Sequence, residues 1–449
     1  MNANRFYFIC FLTFILYVSL TLHEITDRSY KHDDWAGTSE IADFLNRSIV
    51  AKLDDKRYCR APRIAIFISP HEHRYLQLYW DVEYVQENDW ISLFKEDPQS
   101  GKEVFPIYTA EVKNTTGIIS TNITKIPASS EDLSFKSECW GFWAVYFTIN
   151  GSASAVSCLK TNPTWMNDMR SHLGNIQIKR IFIPGTHDSG SYSTTNEASS
   201  LNVVERFVFT QEEDVLSQLI HGIRYLDLRV SSNPHLTDRW WINHGVVRIQ
   251  PLKNILNYVK KFVQKTKEIV ILDFHGFPAG FRYQLESHTE LINYLKSELS
   301  EWAAIPNWNA TCNELWNSNK TLIISYNYEE IVKQNSNLLW TPVSHKWANV
   351  QSNDELKEYF TKIVESRPSY SWAAMAELTP TLWSIVTYKT NSLREMAHNV
   401  NPHVTTWFRG IWGRTCNIVA VDFFRGTDIV ETAIEWNIRK TQRHICDIH

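Results

Sequence analysis

The chain has no Cys-x-x-Cys pair among its seven cysteines, so no cysteine spacing argues for zinc. No Gly-rich fingerprint follows a strand-like run, which removes the usual sign of a doubly wound dinucleotide-binding sheet. Nor is there an excess of positive charge. With 45 Lys and Arg against 49 Asp and Glu, the formal net charge is -4, which gives no reason to propose nucleic acid as a partner and no basic patch to hold anionic lipid. What is present is ordinary for a folded globular protein, with 43% hydrophobic and 21% charged residues. Aromatics are numerous, 18 Trp, 19 Tyr and 22 Phe, and most are expected in cores because a large ring is first of all burial area. At 449 residues the chain exceeds what one core organises, so a large domain and a smaller one are expected.

Residues 6–22 form a nearly unbroken apolar run after a segment whose only charge is Arg5. This reads as a signal peptide, residues 1–24, or as an uncleaved signal anchor, since no small-x-small cleavage site follows. Either way the remainder is expected to be secreted, or lumenal or extracellular on an anchor. Asn-x-Ser/Thr tripeptides at Asn46, Asn114, Asn122, Asn150, Asn309 and Asn319 fit that route as glycosylation sites. Cys10 lies in the leader, and the even remainder, Cys59, Cys139, Cys158, Cys312, Cys416 and Cys446, suggests disulfides whose pairing the sequence leaves open.

Residues 25–161 read as a small all-β, sandwich-like domain. Short apolar or alternating runs at residues 63–69, 76–80 and 140–147 are separated by turn-rich stretches such as Glu96-Asp97-Pro98-Gln99-Ser100-Gly101. His71-Glu72-His73 could suggest a metal, but without a third ligand nearby such spacing is more often surface sequence.

From residue 162 to 449, strand-like runs alternate with helical patterns. The strand candidates are residues 181–183, 225–230, 269–274, 322–326 and 418–423; the helix candidates are residues 213–222, 252–266, 283–299 and 354–366, with apolar residues at three- and four-residue spacing. Repeated βα units predict an α/β fold of the TIM-type (β/α) barrel kind, with a doubly wound sheet as the structural alternative. In a barrel of that kind the active site gathers at the carboxyl ends of the strands, and polar residues lie there.

In Ile181-Phe182-Ile183-Pro184-Gly185-Thr186-His187-Asp188-Ser189-Gly190, three apolar residues rise as a strand, Pro184-Gly185 is expected to end it, and a His-Asp pair follows. Alone, such a pair is more often there to satisfy a turn. The downstream chain adds weight. Asp227 and Arg229 are two apart on one strand and share a face, His244-Gly245 ends an apparent strand, Asp273 and His275 share a face on another, and Asp422 ends the last. Two histidines, several carboxylates and one arginine on separate strand tips are what phosphodiester cleavage needs. One imidazole removes a proton from the attacking oxygen, the other protonates the leaving oxygen, and the guanidinium offsets phosphate charge.

The stretch from Ile183 to Gly190, followed by Asp227-Leu228-Arg229, His244-Gly245 and the late Val421-Asp422, resembles the phosphatidylinositol-specific phospholipase C X domain. The likeness is nearest to the bacterial enzymes and to the small X-domain-containing proteins of animals, and it spans most of residues 162–449. The resemblance implies that His187 is the general base on the inositol 2-hydroxyl and that Asp422 orients it. It implies further that His244 is the general acid for the diacylglycerol oxygen, assisted by Asp188, and that Arg229 contacts the phosphate. Larger eukaryotic relatives have calcium ligands on the strand that here carries Asp227 and Arg229. An arginine in the site implies instead a metal-independent reaction without a cofactor, and Asp227 alone would be a poor calcium site, since that ion wants six to eight oxygens.

On this reading the substrate is a phosphatidylinositol-like phospholipid at a membrane surface, released as diacylglycerol and a cyclic inositol phosphate. Asp273, His275 and Tyr326 are the candidates for gripping the head group, each equally readable as support or core. Trp240-Trp241 could form part of an aromatic rim at the membrane or pack beside the site; Trp407 and Trp412 pose the same question, and Trp340, Trp347 and Trp383 are assigned to the core. Two other classes stay open. One is a metal-dependent glycerophosphodiester or lysolipid phosphodiesterase of the same fold; the other is a non-catalytic lipid- or glycan-binding relative.

Overall fold

The computed structural model describes residues 61–71, 73–125, 130–192, 205–281, 285–381, 384–385 and 392–441. The leader, Asn46, Cys59, Glu72, Trp383 and Cys446 lie outside the described residues.

The first part is antiparallel β throughout. Its strands are β1 (Arg63–Ile68), β2 (Tyr75–Asp81), β3 (Trp90–Phe94), β4 (Tyr108–Glu111), β5 (Thr116–Thr124), β6 (Cys139–Phe147) and β7 (Ala153–Lys160). They form one sheet in the order β1-β2-β5 and a second in the order β4-β3-β6-β7. Alternation along the strands decides how the two sheets meet. Ile64, Ile66 and Ile68 of β1 with Leu76, Leu78 and Trp80 of β2 share one core with Ile91, Leu93, Ala144, Tyr146 and Leu159 of the other sheet. A disulfide, Cys139 to Cys158, ties β6 to β7.

The opposite face of β1 and β2 carries Ala65, Phe67 and Tyr79, all buried. It is covered by the second part of the chain. The Tyr79 hydroxyl meets that of Thr406 at 3.2 Å, Arg63 pairs with Asp428 at 2.7 Å, and Arg409 Nε donates to Asp81 at 2.9 Å. Glu212 is held between Arg74 and Arg394, and all three side chains are nearly buried.

The second part is mixed α/β. Its strands are β8 (Ile183–Thr186), β9 (Tyr225–Ser232), β10 (Trp240–His244), β11 (Val247–Pro251), β12 (Val270–Gly276), β13 (Leu322–Tyr326), β14 (Ser344–Trp347), β15 (Trp372–Met375) and β16 (Ile418–Val421). Seven of them pair in parallel in the order β14-β15-β16-β8-β9-β12-β13, so the first parallel strand in the chain, β8, lies beside the last, β16. A parallel bridge from Ser325 to Trp340 continues beyond β13, and the hairpin β10-β11 extends β9 antiparallel. Of the expected helices, Leu252–Thr266, Leu285–Leu299 and Asn353–Ser366 are present, and Val215–Ile220 replaces a slightly longer expectation. The helices Leu393–Trp407, with Pro402 inside it, and Ile429–Thr441 are absent from the sequence reading, as are β14 and β15.

Two expectations need correction. Pro184-Gly185 does not end a strand: β8 begins at Ile183 and runs through both residues, because the ladder to β16 uses the Ile183 and His187 N–H groups and needs none from Pro184. Gly185 is required by close approach, since a Cβ there would stand 2.6 Å from Tyr225 Cδ1. The cysteines also differ from an all-disulfide reading, because Cys312 and Cys416 are free, buried thiols whose ionisation burial pushes well up.

Side-chain parity assigns the two faces of the parallel sheet. Leu226, Leu228, Leu272, Phe274, Ile324, Tyr326, Ala374, Val419 and Val421 pack into the core shared with the helices. Ile183, Tyr225, Ile271, Ile323, Ala373, Met375, Ile418 and Ala420 form a separate apolar cluster on the other face. Continuing that second set by twos towards the carboxyl ends reaches His187, Asp227, Arg229, Asp273, His275, Ser325, Glu377 and Asp422.

Glu212→Ala should leave Arg74 and Arg394 buried without their shared carboxylate, a loss of about 3 kcal/mol. Denaturant unfolding followed by fluorescence checks it; an unchanged midpoint would show that the contact between the two parts does not depend on this triad.

Candidate active site

His187 leaves the end of β8 at a point where the chain turns sharply. Its N–H donates to Val421 O at 3.1 Å, which fixes the backbone against β16, and Asp188 follows with φ +36, in the left-handed region that a short polar side chain tolerates. The Asp188 N–H donates to Asp227 Oδ2 at 3.0 Å and the Ser189 N–H to Asp227 O at 2.8 Å, so β9 holds the turn. The hydroxyls of Thr186 and Ser189 are spent internally, on Gln218 Oε1 and Thr186 O, both at 2.8 Å. Residues 208–212 form a strap across the site. Gln211 Nε2 donates to His187 O at 3.1 Å and to Val421 O at 2.8 Å, and the Thr210 hydroxyl donates to Asp188 O at 3.0 Å.

The His187 ring is fixed at both nitrogens. Nδ1–H donates to Asp422 Oδ1 at 2.8 Å, and Nε2 accepts from Arg229 Nη2 at 2.6 Å, the tautomer following from these partners. Arg229 Nη2 also reaches Asp227 Oδ2 at 3.2 Å. Asn401 Nδ2 holds the carbonyls of Asp422 and Phe423 at 3.0 and 3.2 Å, and so the bend that presents Asp422. The His244 ring stands edge-on to His187, centroids 6.5 Å apart and planes at 88°. Its Nδ1–H donates to Val208 O, a carbonyl of the strap.

Burial and neighbours pull the titrations apart. Burial works against the His187 cation, yet Glu377 and Asp422 outweigh it and push the ring up to about 9. His244 is pushed down to about 3 by burial, with Arg229 adding to it. The Arg229 contact belongs to neutral His187, because a protonated ring and a guanidinium would only point N–H groups at each other. Protonation of His187 therefore requires Arg229 to leave Nε2. Burial pushes the Asp188 carboxyl up to about 7 against the opposing Arg229, and neither of its oxygens makes a hydrogen bond. Asp227 is held down at about 2: burial alone would raise it, and Arg229 prevails.

Beside this group lies a second one. Asp273, fully buried, faces Tyr225, Ser325, His275 and His345, and its ionisation is held well below the usual carboxylate range by the two imidazoles against the effect of burial. Among the described residues this is the cluster whose donor atoms lie close enough to share a metal ion.

No family model matches the chain. It is 28% identical to the zebrafish (Danio rerio) PI-PLC X domain-containing protein 1 over 285 residues, 58% of this chain and 91% of that protein. It is 26% identical to the human protein of the same name over 317 residues, 64% of this chain and 96% of that one. The chain is a relative of the PI-PLC X domain-containing proteins. A segment of 136 residues is also 31% identical to a Trypanosoma cruzi variant-surface-glycoprotein phospholipase C, covering 25% of this chain and 36% of that protein. Among solved structures, a phosphatidylinositol-specific phospholipase C from Staphylococcus aureus superposes with a TM-score of 0.49 at 17% identity, over 61% of this chain and 97% of that one.

Set beside the X-domain reading of the sequence, His187, His244, Arg229, Asp227 and Asp422 come together, and Asp188 lies in the same turn. Asp188 makes no hydrogen bond to His244, whose Nδ1–H donates to Val208 O. One expected placement fails. Tyr326 cannot grip a ligand: it is fully buried on the helix-covered face, because it is one residue out of parity with Ser325, and its hydroxyl meets His288 Nδ1 at 2.7 Å. Asp273 and His275 are on the expected face. Trp240 is buried against Phe281, Trp241 is half-buried under Arg248, and Trp407 and Trp412 pack on each other. Trp340 is core as expected.

His345 and Glu377 were missed. Glu377 is buried two positions past Met375, and its charge is felt by His187, Asp422 and Arg229; burial pushes it up to about 7. Both follow from counting by twos along β14 and β15, but only once those strands are known.

In NMR titrations of the histidine nitrogens, His187 should titrate near pH 9 and His244 should stay neutral down to about pH 3. Glu377→Gln removes the neighbouring charge that favours the His187 cation, so its titration should move to lower pH. Two rings titrating together near the ordinary histidine value would contradict this.

Proposed function

We propose that the chain is a phospholipase C-like phosphodiesterase that cleaves a phosphatidylinositol-like lipid by general acid–base catalysis between His187 and His244. The observation that carries this reading is the pair of edge-on imidazoles, 6.5 Å apart, with the Arg229 guanidinium on the Nε2 of one of them. Relatedness to the X-domain proteins supports the substrate class.

In this mechanism the phosphate oxygens draw Arg229 off His187, which frees the Nε2 lone pair. The inositol 2-hydroxyl gives its proton to that nitrogen as its oxygen bonds to phosphorus. The bond from phosphorus to the glycerol oxygen breaks, and that oxygen takes a proton from His244 Nε2, the ring nitrogen not engaged by Val208. The products are diacylglycerol and a cyclic inositol phosphate. Once Arg229 has left Nε2, the pair of rings holds one proton between about pH 3 and about pH 9, the number this cycle needs. His187 is the ring that favours that proton, so the bound phosphate must move it to His244 before His187 can act as the base. Asp422 keeps His187 oriented throughout. Arg229 supplies the charge stabilisation, so the reaction runs without a metal.

The same proposal takes the seven parallel strands as a TIM-type barrel, opened between β13 and β14 and bridged at Trp340, with residues 25–161 as a sandwich-like companion domain. It also places the protein on the secretory route. All five described sequon asparagines, Asn114, Asn122, Asn150, Asn309 and Asn319, are exposed, and no helix among the described residues is long and apolar enough to cross a membrane.

Purified protein incubated in chelator with vesicles of phosphatidylinositol, and separately with phosphatidylcholine and a glycerophosphodiester, should yield a cyclic phosphate from the inositol lipid alone. His187→Ala and His244→Ala should each lower kcat by about a hundred- to ten-thousand-fold. The wild-type kcat/KM should fall as pH rises through about 9, where the pair loses its last proton and none is left for the leaving oxygen. Activity abolished by chelator would favour a metal-dependent phosphodiesterase, and cleavage that survives both substitutions would end the two-histidine reading.

A further inference from the structure

Asp273, His275 and His345 share the site's face of the sheet but take no part in the proton transfers above. Three atoms converge there. Asp273 Oδ2 lies 2.9 Å from His345 Nε2 and 3.3 Å from His275 Nδ1, and the three ligating atoms are all within 4.8 Å of one another. The two imidazoles lie face to face, with centroids 3.3 Å apart and planes within 5°. His275 Nδ1 is shielded from solvent and makes no hydrogen bond, although it points into this cluster.

The carboxylate is braced from behind. Its Oδ1 accepts from the Ser325 hydroxyl at 2.7 Å, and Ser325 Oγ is held by the Val343 N–H at 3.2 Å. The Tyr225 hydroxyl donates to Oδ2 at 2.6 Å and lies 2.7 Å from His345 Nε2. A hydrogen-bond network of Tyr225, Ser325 and His345 around Asp273 would be complete by itself. It gives no reason for a second histidine whose buried nitrogen faces the carboxylate without a hydrogen bond, or for two rings stacked so closely that both could not carry protons without repulsion.

We propose that Asp273, His275 and His345 form a binding site for one divalent transition cation of zinc's class, with a coordination position open on the side where His275 reaches solvent. Two imidazole nitrogens and one carboxylate oxygen are the donor set such borderline ions prefer, and calcium, which wants six to eight oxygens, is not served by it. Ser325 and Tyr225 are the outer partners that orient the carboxylate. The rings must splay slightly to turn both lone pairs onto the ion. In register on the adjacent strand stands Asp227, so the ion would lie beside the Arg229–Asp227 pair, and its open position would face the reacting lipid's head group, a placement that rests on the phosphodiesterase reading. Binding of the ion does not rest on it.

The full-length protein, stripped with chelator, is titrated with zinc chloride and with calcium chloride by calorimetry, and with cobalt(II) by visible absorbance. The wild type should bind one equivalent of zinc at this site and no calcium there. His275→Ala and His345→Ala should each weaken zinc binding about a hundred-fold or more, with thermal unfolding confirming that each variant is folded. His275 is partly exposed, so its substitution leaves the core intact. His187→Ala should keep the zinc. A wild type that binds no zinc, or variants of both histidines that bind it unchanged, would overturn the proposal. Loss of lipid cleavage in zinc-free protein that still recovers its zinc would count against the metal-independent mechanism and leave this site standing.

Discussion

Five carboxyl groups, those of Asp188, Asp227, Asp273, Glu377 and Asp422, are buried together at the carboxyl ends of the parallel strands, with the Arg229 guanidinium tied into them. An uncompensated buried charge costs several kcal/mol, so this layer can exist only if each carboxyl is paired or protonated. Asp227 takes Arg229, Asp422 takes His187, and Asp273 takes the imidazoles beside it. Among the described residues Asp188 and Glu377 have no such ionic partner, and burial pushes both up to about 7, towards the neutral form. In the proposed reaction the phosphodiester meets this acidic layer at Arg229, which has a second carboxylate, Asp227, to lean on while it exchanges His187 for phosphate.

Residues 208–212 tie that layer together. Val208 O orients His244, Thr210 and Gln211 hold the backbone of Asp188 and His187, and Glu212, the next residue, is clamped between Arg74 of the β-rich part and Arg394 of the helix behind the site. The N-terminal sheets therefore reach the candidate site through this short segment. Their contact with the second part is not incidental packing, since its charged centre lies one residue from the groups that grip the carbonyls of the His187–Asp188 turn. Relative movement of the two parts would be felt first as a shift of His244 against His187.

Much of this was legible in sequence where the local signal is strong. The amphipathic helix Leu252–Thr266 reads to the residue because its apolar positions are regular, and Asp227 with Arg229, or Asp273 with His275, declare a shared face by a spacing of two. β14 and β15 did not read. Each is four residues long: Ser-His-Lys-Trp offers no hydrophobic run, and Trp-Ala-Ala-Met, though apolar throughout, is short and rests on alanines, with no β-branched residue to favour a strand, so the parallel sheet supplies from its neighbours what the segments lack themselves. His345 and Glu377 were lost with them. Tyr326 misled for the opposite reason: it ends an obvious strand, but the preceding Ser325 has the parity of the site.

The glycine of the most recognisable stretch illustrates the same dependence on distant partners. Read locally, Pro184-Gly185 looks like a strand ending in a turn, yet Gly185 sits inside the ladder and lacks a side chain because the Tyr225 ring occupies the space a Cβ would need. Tyr225 lies there so that its hydroxyl can reach Asp273, while Asp227 and Arg229, two and four residues further along the same strand, reach Asp188 and His187. One strand thus buttresses both the histidine centre and the Asp273 cluster. A side chain at position 185 would act first on Asp273, through Tyr225, and only then on His187, although His187 is its near neighbour in sequence.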